Sequence, residues 1–258
     1  MTRRPADDTG VRTRRSAGGA DVRVLPPGAW AATVADALLA LIEANPRLRV
    51  CLPTGETPVP LYRELAARDG LGGPSWIQAT IVLLDEWAGL APGDPARCDV
   101  RLRRDLLDQL APPPRFIAID VDGSDDEAAA RSHDEEAARG LDLAVVGLGM
   151  NGHVGFNEPG SRPGDGTRLV RLARSTREAA TARYGAASVP TAGVTLGLSR
   201  ILAAEACWLL VTGEHKAAIL RRALEEPEGP DCPASWLRRH PRLVVFADEP
   251  AAARLRHA

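Results

Sequence analysis

The sequence predicts an α/β fold of three layers, a mostly parallel, Rossmann-like sheet with helices on both faces. Three observations carry the prediction. Six short apolar runs alternate with helix-patterned stretches. The runs are too short for helices and are rich in β-branched or aromatic residues. No internal repeat or long linker divides the chain. Strands alternating with helices imply right-handed crossovers, which bury both faces of a parallel sheet.

The runs, in order, are 49–53 (RVCLP), 79–84 (ATIVLL), 115–120 (RFIAID), 141–146 (LDLAVV), 207–212 (CWLLVT) and 243–247 (LVVFA). Amphipathic stretches at 58–68 and 216–226 lie between them, and Ser124 with Glu127 (SDDE) reads as a capping box that opens another helix. The chain has 258 residues, about 1.7 times a typical domain of ~150. We expect one domain over 21–258. Residues 1–20 carry arginines but no apolar run, so they read as a disordered tail and not as a secretory signal.

Composition excludes several function classes. Apolar residues make up 45%, charged residues 26%, and the net charge is -2, which provides no field for nucleic acid or an acidic membrane surface. No stretch approaches the ~20 apolar residues of a membrane span. Cys51, Cys98, Cys207 and Cys232 lack CxxC spacing, which argues against zinc or a disulfide framework. A reducing, cytoplasmic setting is expected, with a small-molecule substrate and neither metal nor organic cofactor. Self-association into a homo-oligomer stays open.

Ligands of such sheets bind beyond the carboxyl ends of the strands, so the loops there hold the candidates. Pro53-Thr54-Gly55-Glu56-Thr57-Pro58 joins a strand to a helix start, with Thr57 as N-cap and Pro58 at the first helical position. Backbone amides and the hydroxyls of Thr54 and Thr57 can converge there on an anion. Leu84-Asp85-Glu86-Trp87 ends the second run. Adjacent strand residues face opposite ways, so Asp85 can face the site as a general base while Glu86 pairs inside. Gly147, Gly149 and Gly152 satisfy G-x-G-x-x-G, but Phe156-Asn157-Glu158-Pro159-Gly160 cannot open a long helix, which refuses a dinucleotide site. The loop instead presents His153 with Glu158, an oriented acid/base pair. Of 32 basic residues only Lys216 is lysine. It sits in Gly213-Glu214-His215-Lys216 at a helix start on the same sheet edge, where a compact mobile charge suits phosphate.

Together these motifs resemble the glucosamine-6-phosphate and galactosamine-6-phosphate deaminases (isomerases). CLPTGETP, LDEWAGL, GLGMNGHVGFNEPG, VPTAGVTLGL, TGEHK and CPASWLRRH match that family in order and spacing. The resemblance implies conversion of an amino sugar phosphate to a ketose phosphate with release of ammonia. It implies Asp85 as the enolising base, His153 with Glu158 as the ring-opening pair, and Thr54, Gly55, Thr57, Arg183 and Lys216 around the 6-phosphate. Asn151 stands where the family often has aspartate and reads as a positioning residue, because an amide cannot shuttle a proton. LDEW, GVTLGL and the missing Ser-Tyr pair before Val100 are closer to the galactosamine branch. Arg168 matches an allosteric arginine of regulated relatives, but its neighbours Val170 and Arg171 do not fit that site. The lactonase that hydrolyses 6-phosphogluconolactone shares the fold, the phosphate turn and the loop histidine. It needs no C2 base and has a different loop ending from FNEPG. A sugar-phosphate-binding regulator without turnover is the third reading.

Overall fold

In the parallel strands, successive side chains enter two different cores, so both faces of the sheet must be covered. The computed structural model describes residues 12–15, 19–69, 71–121, 125–185 and 189–256. The chain opens with β1 (Arg12–Arg15), β2 (Asp21–Leu25), α1 (Pro27–Ala44), β3 (Arg49–Leu52) and α2 (Val59–Asp69). It continues through β4 (Thr80–Leu83), β5 (Asp85–Trp87), α3 (Cys98–Asp105), β6 (Arg115–Ile117), α4 (Asp126–Ala137) and β7 (Leu143–Gly147). Next come β8 (Arg168–Arg171), α5 (Arg174–Tyr184), β9 (Ala192–Thr195), α6 (Leu198–Leu202) and β10 (Ala206–Val211), then α7 (Ala217–Glu225), β11 (Leu243–Asp248) and α8 (Glu249–Ala252).

The large sheet has the order β1-β2-β11-β10-β7-β3-β4-β6 and is parallel except for β1. Val50, Leu52, Ile81, Leu83 and Val145 enter one core with α1 and α2. Cys51, Val82, Ala144, Val146 and Leu209 enter the other with α7 and α8. That two-sided burial is why these strands read as unbroken apolar runs.

Four local expectations are corrected. The sheet begins inside the expected tail, because Arg12–Arg15 pairs antiparallel with β2; an edge strand with a solvated outer side can be as polar as RTRR. Helix α2 begins at Val59, with the Pro58 carbonyl accepting from Tyr62 N at 2.9 Å, so Pro58 caps the helix in place of Thr57. Asp125 caps α4 by accepting from Ala128 N; Ser124 lies outside the described residues. A second sheet, β5-β9-β8, is antiparallel and small. Helix α1, 18 residues with mean hydropathy 1.2, is long and apolar enough to cross a membrane. Its Trp30, Val34, Leu38 and Ile42 are buried in the first core.

The strand order reverses between β3 and β7. From β3 the chain proceeds outward to β4 and β6, and from β7 the other way to β10 and β11. The crevice beyond their carboxyl ends is the place such sheets offer a ligand.

Candidate active site

Beyond this switch point lies a cavity of about 490 Å³. The turn after β3, the seam after β4, the glycine loop after β7 and the turn after β10 all line it.

The seam after β4 separates two carboxylates. Leu84 still belongs to the large sheet through Leu84 N to Leu52 O (3.2 Å), yet its carbonyl accepts from Leu196 N (2.8 Å) beside β9. One residue later Asp85 is in the small sheet, opposite Thr195, and it lines the cavity while only 7% exposed. Glu86 is fully buried and accepts three backbone N–H groups, from Trp87, Cys98 and Asp99, each at 2.8 Å. The Arg97 guanidinium stands 3.8 Å away. Glu86 therefore fastens the start of α3, as the alternation of strand side chains requires. Burial pushes the Asp85 carboxyl up to about 6, with His153, Cys98 and Arg101 opposing. A base in that range is ionised at neutral pH and still basic enough to take a carbon-bound proton.

The glycine loop contains no helix, and it packs its histidine against its own backbone. Gly149 N donates to His153 O at 2.9 Å, and a Cβ at Gly149 would stand 2.2 Å from the imidazole. The His153 ring lines the cavity, with Nδ1 at 3.5 Å from Glu158 Oε2 and 3.3 Å from Thr176 Oγ1. Asn151 Nδ2 donates to Glu158 Oε2 (2.8 Å) and its Oδ1 accepts from His153 N (3.1 Å). Ala173 N donates to Glu158 Oε1 (3.2 Å). Burial raises the Glu158 carboxyl, but hydrogen bonds from His153, Thr176 and Asn151 outweigh it and leave it below its ordinary value. An ionised Glu158 behind the ring orients the imidazole.

Three distant segments hold this loop. Thr195 Oγ1 accepts from Phe156 N (3.1 Å), and Asn157 Nδ2 donates to Leu196 O (2.8 Å). Ala234 N reaches Gly152 O and Gly160 N reaches Pro230 O, both at 2.8 Å. Trp236 Nε1 donates to Ser161 O (3.0 Å). Arg168 bonds Asn157 Oδ1 (3.0 Å) and Ser161 Oγ (2.8 Å). The VPTAGVTLGL and CPASWLRRH segments thus serve as scaffold, and Arg168 is engaged by the loop.

Thr54, Gly55 and Thr57 line the cavity beside Lys216, whose Nζ donates to Leu148 O. Lys216 precedes α7 in a short 3₁₀ turn, and Asp248 holds that turn by accepting from Gly213 N at 2.9–3.0 Å. Arg183 falls within α5, but its side chain lies outside the described residues. The structure adds lining residues that lie outside the motifs, Cys98 and Arg101 of α3 and Ser175 and Thr176 of α5, and brings in His215 of the TGEHK segment beside Lys216. Trp87 and Phe156, with ring centroids 4.7 Å apart, form an aromatic wall beside Asp85.

The family model described as glucosamine-6-phosphate isomerases/6-phosphogluconolactonase matches residues 28–245. A glucosamine-6-phosphate deaminase of Arthrobacter sp. (strain FB24) is 38% identical over 232 residues, covering 88% of this chain and 89% of that protein. The solved structure of a monomeric glucosamine-6-phosphate deaminase superposes with a TM-score of 0.86 at 30% identity, covering 90% of this chain and 99% of that one. The 6-phosphogluconolactonase of Thermotoga maritima, at 19% identity and a TM-score of 0.69 over 88% of this chain and 99% of its own, shares the fold.

Proposed function

The chain belongs to the family of glucosamine-6-phosphate isomerases and 6-phosphogluconolactonases, and we propose that it is a hexosamine-6-phosphate deaminase producing a ketose 6-phosphate and ammonia. One observation carries the reading. A single cavity combines a buried carboxylate of suitable basicity with a histidine-carboxylate pair, and it ends in a turn and a lysine suited to phosphate.

His153, backed by Glu158, handles the ring-oxygen proton and opens the pyranose. Asp85 takes the proton from C2 and returns it to C1, which moves unsaturation to the carbon bearing nitrogen. Water then adds at C2 and ammonia leaves. The 6-phosphate, held by Thr54, Gly55, Thr57 and Lys216, keeps C2 at the base. A lactonase needs no acid beside C2, so Asp85 on the cavity wall favours deamination. The named relatives support glucosamine-6-phosphate as substrate, while the LDEW and GVTLGL segments keep galactosamine-6-phosphate in the comparison.

The test incubates pure protein with glucosamine-6-phosphate, galactosamine-6-phosphate and 6-phosphogluconolactone in parallel. Ammonia and ketose phosphate are expected from an amino sugar. Lactone hydrolysis with both amino sugars untouched overturns the reading, and binding without turnover indicates a regulator.

A further inference from the structure

Helix α3 contributes to the site through two residues that no motif indicated. Its first residue, Cys98, and Arg101 three positions on lie on one helical face and line the cavity with Asp85. The placement follows from the adjacent acid. Glu86 accepts the Cys98 and Asp99 amides, so the strand that turns Asp85 into the cavity also fastens the helix carrying Arg101. Arg101 is only 7% exposed, and a buried guanidinium stays charged.

We propose that Arg101 is a positioning residue that keeps Asp85 ionised and so sets the lower pH limit of turnover. The proposal rests on Asp85 being the base. The titratable groups that interact electrostatically with Asp85 come from several elements: His153 from the glycine loop, Cys98 and Arg101 from α3, Cys51 from β3 and Tyr62 from α2. Burial opposes the Asp85 anion, while His153, Cys98 and Arg101 favour it. A guanidinium keeps its charge across the working pH range, whereas the Cys98 thiol, pushed up by burial, is neutral and offers only a hydrogen bond.

The experiment compares the parent with Arg101→Met and Arg101→Lys. The pH dependence of kcat/KM and the titration of the Asp85 carboxyl carbon by NMR, assigned with Asp85→Asn, are both measured. In Arg101→Met the acid limb and the Asp85 midpoint should rise together by about one pH unit, the usual worth of a nearby opposite charge. Arg101→Lys should keep both near the parent values. An unmoved Asp85 midpoint in a folded Arg101→Met overturns the proposal, as does an equal loss of activity at every pH. A midpoint that moves in a protein inert toward amino sugar phosphates leaves the charge coupling standing and refutes the function instead.

Discussion

Two loops at the switch point build the site by different means. The turn after β3 is short, and its ties are generic: Tyr62 Oη donates to Pro53 O, and Val59 N donates to Glu56 O at 3.2 Å. The loop after β7 is long and is held by the segments around Thr195, Ala234 and Arg168. A phosphate handle can use amides and hydroxyls that any strand-to-helix turn presents. Proton transfer needs one imidazole at one angle, and that angle has to be imposed from outside the loop. Glycine has correspondingly different roles. Gly149 gives the His153 ring its place, whereas Gly55, at φ +111° with open space around a built Cβ, supplies only a backbone angle.

The sharpest way to break the comparison is Gly149→Ala. A methyl 2.2 Å from the imidazole must displace it, so kcat should fall by ~10²–10⁴, as for loss of a proton-transfer group. Steady-state kinetics beside a melting curve will check it. A folded Gly149→Ala that keeps the parent kcat would remove His153 from the mechanism.

At the other loop the losses should appear in binding. Lys216→Ala removes a charged contact to phosphate, worth about 1.5–3 kcal/mol, and KM for the phosphorylated sugar should rise ~10–100-fold with kcat little changed. A fall in kcat at constant KM would move Lys216 to the chemistry. Gly55→Ala meets no neighbour and adds only backbone strain of about 1–3 kcal/mol. Part of that strain relaxes in an open turn, so KM should rise only a few-fold. If Gly55→Ala loses kcat as Gly149→Ala does, the distinction between the loops fails.

What could be read from the sequence followed from burial. Strands such as β4 and β10, covered on both faces, are continuous apolar runs, and turn chemistry at their ends marked Thr54, Asp85, His153 and Lys216. The small sheet is not legible in the sequence because DEW, RLVR and AGVT are short and have no apolar run; their pairing depends on contacts between residues 21 to 110 positions apart. Arg101 shares α3 with Arg103 and Arg104. Which arginine turns inward depends on Glu86 fastening the helix start, a tertiary contact. Asn151 could be read as a positioning residue from its chemistry, but its partner Ser175 comes from α5.

The last contrast is within one dipeptide, where Glu86 has three amide donors and Asp85 is buried against the cavity. The Asp85 pKa, raised to about 6 from 3.8, means that folding favours its protonated form. Below pH 3.8 the group is protonated folded and unfolded, so it leaves stability unchanged. Between 3.8 and about 6 the unfolded chain loses the proton first, and the folded state is progressively penalised. Above about 6 the penalty is constant at about 3 kcal/mol. That penalty is already net of the attraction from His153 and Arg101, so Asp85→Asn, which removes it, should gain up to about 3 kcal/mol at pH 7.5, several degrees in Tm. Melting curves of the two proteins should differ at pH 7.5, with the variant higher, and the gain should shrink or reverse at pH 4. A variant less stable at pH 7.5 than at pH 4, relative to the parent, would show that Asp85 sits in a site that stabilises its charge, and the tuning of the base would need another origin.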